Sequence, residues 1–206
     1  SCTFTADTQP YGSNTITAYG KLTPFALASF FIKTSIILHT PLTGTVGTMI
    51  TVRGIGYQAS ELIRIAFGAT TTRTTTSADA YGSWTASFTI DEQAYGSRTI
   101  LAIGVDSSAS ATTYIDITQR LILVTPSSGT VGSEVTVFGN GYYSSGDLLI
   151  DFGPSSIGIF IGSSTYNGTF MATFDVDNQP YGITTIVARG QKGGWEISDY
   201  GTFTIL

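Results

Sequence analysis

Thr40-Pro41-Leu42-Thr43-Gly44-Thr45-Val46-Gly47 occurs twice in this sequence, the second time 85 positions later as Thr125-Pro126-Ser127-Ser128-Gly129-Thr130-Val131-Gly132. Gly54-Ile55-Gly56-Tyr57 returns at the same spacing as Gly139-Asn140-Gly141-Tyr142. This period is longer than that of a solenoid, which repeats roughly every 20–50 residues, and it suits a small domain with its own core. The sequence is therefore predicted to be a tandem array of small domains.

A Gln-x-Tyr-Gly motif occurs three times, beginning at Gln9, Gln93 and Gln179. Each copy follows a Phe and an Asp in the same order, namely Phe4 and Asp7, Phe88 and Asp91, and Phe174 and Asp177. Three copies of this late motif but only two of the early motifs indicate two full repeats and the end of another. We predict a partial repeat over residues 1–34, a middle repeat over 35–118 and a last repeat over 119–206, and we expect the chain to be a fragment of a longer protein.

The composition is poor in charge and rich in apolar and hydroxyl residues. Charged residues make up 11% of the chain and hydrophobic residues 42%, which excludes intrinsic disorder. Thr, Ser and Gly stand where a cytosolic protein carries Lys and Glu, which is typical of an extracellular, cell-surface glycoprotein. The net charge of −5 and the scattered basic residues argue against nucleic-acid binding. No apolar run is long enough to predict a membrane span.

Apolar residues alternate with polar ones in short runs, as in Ile63-Arg64-Ile65-Ala66-Phe67, which predicts half-buried strands. Asn167-Gly168 predicts a hairpin turn. The pattern predicts seven strands in the middle repeat, over residues 35–40, 48–54, 62–68, 70–76, 84–90, 98–104 and 111–117. Seven short strands per repeat predict an all-β fold of tandem immunoglobulin-like sandwiches, with a partial N-terminal unit. The predicted core anchors are Phe4, Phe88 and Phe174, with Trp84 and Phe170 nearby.

The predicted linkers between repeats are very short. Only Thr118-Gln119 separates the predicted strands 111–117 and 120–125, and Lys33-Thr34 takes this place one repeat earlier. A two-residue connection is too short for a flexible tether. We therefore expect successive repeats to act as semi-rigid spacers.

These motifs resemble those of the IPT/TIG group of Ig-like repeats. The resemblance is carried by Pro-x-x-Gly-Thr-Val-Gly from Pro41, by Val-Thr-Val-x-Gly-x-Gly-Tyr from Val135, and by the motifs Phe67-Gly68, Gly82-Ser83-Trp84 and Tyr95-Gly96. It covers both full repeats and the second half of the partial one. The resemblance implies an Ig-like fold and a place in a bacterial or archaeal cell-surface protein such as an S-layer protein. It brings no catalytic residues.

The sequence contains no constellation that predicts catalysis. The one histidine, His39, aligns with Val124 of the next repeat, which indicates a structural variant of an apolar strand position. Cys2, the one cysteine, matches Ala86 and is interpreted as a small apolar filler, although an intermolecular link stays open. The glycines around Gly54 and Gly56 precede no helix, which argues against a nucleotide loop. The chain is predicted not to be an enzyme and to need no cofactor.

Three weak ligand sites remain as hypotheses. Oxygen ligands for Ca²⁺ could come from Asp91, Glu92 and Asp177, although the alternative is that each Asp caps the following turn. Asn167-Gly168-Thr169 is a glycosylation sequon on a predicted turn. The aromatic residues Tyr142, Tyr143 and Trp195, all in the last repeat, are predicted to form a binding surface.

The leading functional prediction is a non-catalytic structural segment of a cell envelope, such as an S-layer or similar surface array. Its repeats would set spacing and contact neighbouring chains, so that its partners would be copies of itself or other envelope proteins. One alternative is an adhesin or a carbohydrate-binding module, with polysaccharide as the partner. A second alternative is a filament subunit that assembles by strand exchange, because residues 1–34 supply only the last strands of a sandwich.

Overall fold

The computed structural model describes residues 3–21, 25–154 and 156–206, and the described residues are strands, turns and loops without a helix. The strands are short because Gly-rich turns interrupt the alternating apolar pattern at regular spacing. In chain order they are β1 Gly12–Ala18, β2 Ala26–Ile32, β3 Ser35–Thr40, β4 Thr43–Gly44, β5 Met49–Ile55, β6 Leu62–Phe67, β7 Thr70–Ser77, β8 Trp84–Thr89, β9 Gly96–Gly104, β10 Ser110–Ile117, β11 Arg120–Thr125, β12 Ser128–Gly129, β13 Glu134–Asn140, β14 Asp147–Phe152, β15 Ser156–Ser163, β16 Phe170–Asp175, β17 Gly182–Lys192 and β18 Trp195–Ile205.

Both full repeats have the same strand order. The middle repeat has one sheet of order β3-β5-β8 and another of order β4-β10-β9-β6-β7, and the last repeat has β11-β13-β16 and β12-β18-β17-β14-β15. Pairs such as β3–β5, β6–β9, β13–β16 and β17–β18 are antiparallel, whereas the short strands β4 and β12 pair in parallel with β10 and β18. This arrangement is that of an Ig-like sandwich. The fold class predicted from the sequence is confirmed.

The chain forms two compact units. The first comprises Ser1–Leu42, Met49–Phe88 and Arg98–Ile115, and the second comprises Thr43–Thr48, Thr89–Ser97 and Asp116–Leu206. The loop that carries Tyr95 thus belongs to the same compact unit as the last repeat. The repeat boundaries at 34/35 and 118/119 stay predictions.

Each full repeat has its own apolar core, built from residues that alternate along facing strands. In the middle repeat Ile50 and Val52 of β5 and Ile63, Ile65 and Phe67 of β6 are fully buried. The corresponding core of the last repeat contains Val135, Val137, Leu148, Ile150, Phe152, Phe174, Ile186 and Phe203. Phe88 packs on Phe67 with ring centroids 5.3 Å apart, and Phe174 packs on Phe152 at the same distance. The predicted anchors Phe88, Phe174, Trp84 and Phe170 are therefore confirmed.

The partial repeat contributes a two-stranded antiparallel sheet of β1 and β2. Phe30 of β2 is exposed, whereas Ile115, which holds the same position in β10 of the middle repeat, is buried. Phe4 is 67% exposed, so the prediction that it anchors a core is wrong. The physical reason is that the described residues of this repeat form one sheet with no second sheet facing it.

Three other sequence expectations need correction or fall outside the described residues. Asn167-Gly168 lies in a turn, but this turn joins β15 to β16, which belong to different sheets, so the hairpin prediction is wrong. The two-residue strands β4 and β12 were not predicted because they are too short to show an alternating pattern. Cys2 lies outside the described residues.

Replacing Phe88 by alanine is expected to lower the free energy of unfolding of the middle repeat by about 3–5 kcal/mol, since a buried ring is lost and a cavity remains. Urea denaturation followed by the fluorescence of the buried Trp84 measures this change. The matched control is Phe4→Ala, for which we expect a change within about 0.5 kcal/mol because Phe4 is exposed. Equal effects of the two substitutions would contradict the assignment of the core.

Candidate functional site

The most distinctive site in both repeats is built around a buried tyrosine of the Gly-x-Gly-Tyr motif. Tyr57 and Tyr142 are fully buried. The Tyr57 hydroxyl donates to the Ala102 carbonyl oxygen at 3.2 Å, and the Tyr142 hydroxyl donates to that of Ala188 at 3.3 Å. Because these bonds tie the end of β5 or β13 to the opposite sheet, they fix the position of the tyrosine backbone.

Both hydroxyls stay protonated. Burial raises the pKa of Tyr57, and the nearby Glu61 carboxylate raises it further. Burial likewise raises the pKa of Tyr142, with a second contribution from Asp199. A neutral phenol donates its proton to a carbonyl oxygen, and burial favours this neutral form.

An aromatic ring packs edge-on against each of these tyrosines. Trp84 lies 5.7 Å from the Tyr57 ring at 80°, and Phe170 lies 4.9 Å from the Tyr142 ring at 85°. The first glycine of each motif makes room for this ring, because a Cβ atom at Gly139 would lie 2.2 Å from the nearest Phe170 ring atom. The aromatic anchor and the glycine are therefore required together.

The second glycine of the motif lies against the linker that precedes its repeat. Gly56 and Gly141 have φ values of 73° and 70°, in the region that favours glycine. A Cβ atom at Gly56 would lie 2.4 Å from the Lys33 carbonyl oxygen, and one at Gly141 would lie 2.3 Å from that of Thr118. The short linker thus packs directly against the second glycine of the Gly-x-Gly-Tyr motif.

The backbone of the buried tyrosine joins the Gln-x-Tyr-Gly loop of the preceding repeat. The Tyr11 amide donates to the Tyr57 carbonyl oxygen at 2.8 Å, and the Tyr95 amide donates to the Tyr142 carbonyl oxygen at 2.8 Å. The same atoms make the same bond twice, at the spacing of the sequence repeat. We call this contact the junction bond.

A third loop completes the junction. The amides of Tyr57 and Tyr142 donate to the carbonyl oxygens of Gly82 and Gly168 at 3.0 and 2.9 Å. A Cβ atom at Gly168 would lie 2.2 Å from the Tyr142 carbonyl oxygen and 2.7 Å from Ala94 Cα. Glycine is therefore needed at Gly168 because both the Tyr142 backbone and the loop of the preceding repeat approach it closely.

The aromatic side chains at the junction differ between the two copies. The Tyr11 ring packs edge-on against Phe31 at 5.2 Å, whereas the Tyr95 ring packs against Tyr143 at 5.1 Å. Phe31 lies in the partial repeat, but Tyr143 follows the Gly-x-Gly-Tyr motif of the last repeat. The backbone bond is common to both junctions, and the ring partner is variable.

The Gln-x-Tyr-Gly loop has an internal support that sequence reasoning missed. Gln93 Nε2 donates to Asp91 Oδ1 at 2.9 Å, and Gln179 Nε2 donates to Asp177 Oδ1 at 2.8 Å and to the Phe152 carbonyl oxygen at 3.2 Å. Both glutamines are buried. The signal that could have found them is the constant Asp-x-Gln spacing in all three copies of the motif.

The calcium candidates are not gathered into a metal site. Asp91 and Asp177 each accept a hydrogen bond from the glutamine two residues later, and Glu92 is exposed. Within the described ranges there is no group of three or more His, Cys, Asp or Glu side chains that could hold a metal ion. The positions of these aspartates are explained by support of the loop.

The predicted aromatic surface is not a single surface. The prediction that Tyr142 belongs to it is wrong, because this ring fills the core and only its backbone reaches the junction. Tyr143 is half-buried against Tyr95. Trp195 is 74% exposed on the β17–β18 hairpin, next to the turn residues Gly193 and Gly194.

Two further predicted residues have clear positions. Asn167 is exposed on the turn between β15 and β16, so the sequon lies at the surface. His39 is half-buried in β3, and its Nδ1 lies 3.3 Å from the Thr113 hydroxyl oxygen. Among the described residues, no helix is long and apolar enough to cross a membrane.

Replacing Gly141 by alanine is expected to open the junction, because its Cβ atom would overlap the Thr118 carbonyl oxygen. The exchange of the Tyr95 amide hydrogen should become faster by at least about tenfold, as read by hydrogen–deuterium exchange. Gly132→Ala is the matched control, since Gly132 has a φ of 85° but open space around its Cβ position. An unchanged Tyr95 amide in Gly141→Ala would contradict the described junction.

Comparison with solved structures finds proteins that are distantly similar to this chain. The BSP domain of a biofilm-associated protein is 15% identical with a TM-score of 0.31, and the match covers 79% of this chain and 28% of that one. The D0-D1 domain of intimin is 12% identical with a TM-score of 0.31, covering 84% and 97%. The Yersinia pseudotuberculosis adhesin InvE is 12% identical with a TM-score of 0.35, covering 84% and 58%.

The matches also include enzymes, among them a red sea bream transglutaminase that is 11% identical with a TM-score of 0.34, covering 85% of this chain and 31% of that one. Identities and TM-scores this low carry no information about activity or ligand. No protein-family model and no curated protein sequence matches the chain. The IPT/TIG resemblance therefore stays a prediction.

Proposed function

We propose that this chain is a non-catalytic structural segment of an extracellular cell-envelope protein, in which tandem Ig-like repeats act as semi-rigid spacers. The observation that carries the proposal is the junction bond, which is made by the same atoms in two successive copies. A catalytic protein has no need for an identical contact at each repeat. A spacer needs such a contact at each repeat, because every added repeat must be held in the same way as the one before.

Three restraints on the backbone occur at the linker between the middle and last repeats. The linker is two residues long, since β10 ends at Ile117 and β11 begins at Arg120. Its carbonyl faces Gly141, and the Tyr95 amide bonds to the Tyr142 carbonyl oxygen. The close approach of the linker to Gly141 and the bond between the Tyr95 amide and the Tyr142 carbonyl oxygen both restrain the backbone next to the linker. We therefore infer that the function is geometric and that it needs no ligand.

Self-association is the second part of the proposal, and β15 favours it. This strand forms the edge of its sheet in the last repeat, and Ile157 and Ile161 on it are strongly exposed. The corresponding strand of the middle repeat, β7, has the polar sequence Thr-Thr-Thr-Arg-Thr-Thr-Thr-Ser. An apolar edge strand is a template for pairing with another chain, and proteins usually protect such edges with charge. We infer that β15 contacts a neighbouring copy or another envelope protein in a surface array.

A surface location, an S-layer type of assembly and IPT/TIG membership belong to the same proposal. They are supported by the low charge, the hydroxyl-rich strand faces and the repeated motifs. The exposed position of Asn167 is compatible with an attached sugar. Strand exchange through residues 1–34 remains an alternative, which the exposed apolar side chains of β2 favour.

The proposal is tested by treating intact source cells with a protease that does not enter them. We expect fragments from this chain to be released and its antibody signal at the cell surface to be lost, because an envelope segment is accessible from outside. A cytosolic protein of the same cells serves as the control and should stay intact. Release of this chain only after lysis would contradict the proposed location.

A second candidate function, glycan binding, is favoured by Trp195. Its exposed ring lies beside a shallow depression of about 260 Å³ lined by Asp147, Gln191, Lys192 and Glu196, whose polar groups suit sugar hydroxyls. If this function holds, the chain should sediment with isolated envelope polysaccharide, and Trp195→Ala should weaken that binding by at least about tenfold. Tyr166→Ala, at another exposed aromatic residue, is the control. Equal binding by both variants would contradict this candidate.

A further inference from the structure

The third copy of the Gln-x-Tyr-Gly motif differs from the other two in its surroundings. Tyr181 is 86% exposed, whereas Tyr11 and Tyr95 are half-buried. The residue before it shows the same contrast, because Pro180 is exposed while Ala94 is only 3% exposed. The surface that the junction covers in the other copies is therefore open at Tyr181.

The open loop is nevertheless built like the loops that are covered. Its Gln179 side chain bonds to Asp177 as Gln93 bonds to Asp91, at 2.8 and 2.9 Å. The glycine after the tyrosine has a φ of 117°, close to the 103° of Gly96. Because the loop is held from inside its own repeat, it keeps this shape without a partner. It is preformed for the contact that Tyr11 and Tyr95 make.

We propose that the Tyr181 loop is a docking surface for the Gly-x-Gly-Tyr loop of a further domain of this repeat type. The Tyr181 amide would donate to the carbonyl oxygen of the buried tyrosine in that domain. This inference concerns an interaction surface and its partner, and it holds wherever the protein is located.

The two existing junctions define what the partner must carry. It needs a glycine at the position of Gly56 or Gly141, because the carbonyl of the preceding linker lies against it. It also needs a glycine at the position of Gly82 or Gly168, because a Cβ atom there would lie 2.1 or 2.2 Å from the carbonyl oxygen of the buried tyrosine that has to accept the bond. At Gly168 the Cβ atom would also lie 2.7 Å from Ala94 Cα, in the residue before the docking tyrosine. A β-sandwich without both glycines would meet backbone atoms at these points. The surface is therefore specific for repeats of this family of sequence.

A second copy of the whole chain is not the expected occupant. The acceptor carbonyls of Tyr57 and Tyr142 already receive the amides of Tyr11 and Tyr95. Docking of Tyr181 on either of them would require an existing junction bond to break. The partner is instead a repeat whose tyrosine carbonyl is still open.

Leu206 in the last repeat makes the same backbone hydrogen bond as Thr118 in the middle repeat. The Leu206 amide donates to the Gly129 carbonyl oxygen at 2.9 Å, as the Thr118 amide donates to that of Gly44 at 2.9 Å. Leu206 thus holds the position of Thr118, and of Lys33 one repeat earlier. A repeat joined directly after Leu206 and beginning at Thr34 reproduces the spacing of the first junction.

The test is an extended chain in which a copy of residues 34–118 follows Leu206. We expect the Tyr181 amide hydrogen to exchange at least about tenfold more slowly than in the original chain, because it becomes bonded. Hydrogen–deuterium exchange of the peptide that contains Tyr181 reads this directly, since that peptide occurs once in the extended chain. The Tyr11 amide is the internal control and should be equally protected in both chains.

Two further variants make the result decisive. Gly56→Ala in the appended copy alone should restore fast exchange at Tyr181, because its Cβ atom would overlap the linker carbonyl.

A second extended chain carries residues 119–206 instead of residues 34–118, with Tyr181→Phe in the appended copy so that the two peptides differ in mass. Limited proteolysis checks that each appended copy is folded. If both appended copies are folded and Tyr181 stays unprotected in both, the proposal is overturned.

The size of the original chain in solution gives an independent result. Sedimentation at high concentration should show no association that depends on Tyr181, so Tyr181→Ala should leave the molecular mass unchanged. If Tyr181→Ala instead abolished a dimer of the original chain, the occupant would be a second copy and the proposal would be overturned.

Discussion

The carbonyl oxygen of a buried tyrosine is the acceptor on which the junctions of this chain depend. At Tyr57 and at Tyr142 the side chain fills the core of its own repeat, and the backbone faces the loop of the preceding one. A single residue therefore couples the packing of a sandwich to the Gln-x-Tyr-Gly loop that it contacts. The core fixes the tyrosine, and the tyrosine then fixes the loop.

This arrangement explains why so many glycines recur at the repeat spacing. Gly139 admits the Phe170 ring, Gly141 admits the linker carbonyl and Gly168 admits the approaching loop. A junction hydrogen bond contributes only about 0.5–1.5 kcal/mol net. This small contribution is enough to stabilise the junction because the steric contacts at the glycines already restrict the backbone to one arrangement. The junction is specific because only glycine allows these backbone segments to approach so closely. The junction bond then fixes which residue of the loop pairs with the buried tyrosine.

The sequence predicts the strands well and the junction poorly, for physical reasons. Strands such as β5 and β8 are visible because alternation of side chains reflects burial on one face. The prediction that Tyr142 lies on a binding surface is wrong because its side chain fills the core of the last repeat. Its burial depends on β14 and β17, which are distant in sequence. The bond from Gln179 to Asp177 follows the Asp-x-Gln spacing, but its bond to the Phe152 carbonyl oxygen could not be predicted because a backbone partner leaves no sequence pattern.

Native-state hydrogen exchange of the unmodified chain tests the central claim most directly, because three equivalent amides can be compared in one molecule. The account predicts that the amides of Tyr11 and Tyr95 are protected by at least about tenfold relative to that of Tyr181, which has the same loop but an open surface. Equal and fast exchange at all three tyrosines would contradict the claim that the buried tyrosine carbonyl holds the Gln-x-Tyr-Gly loop.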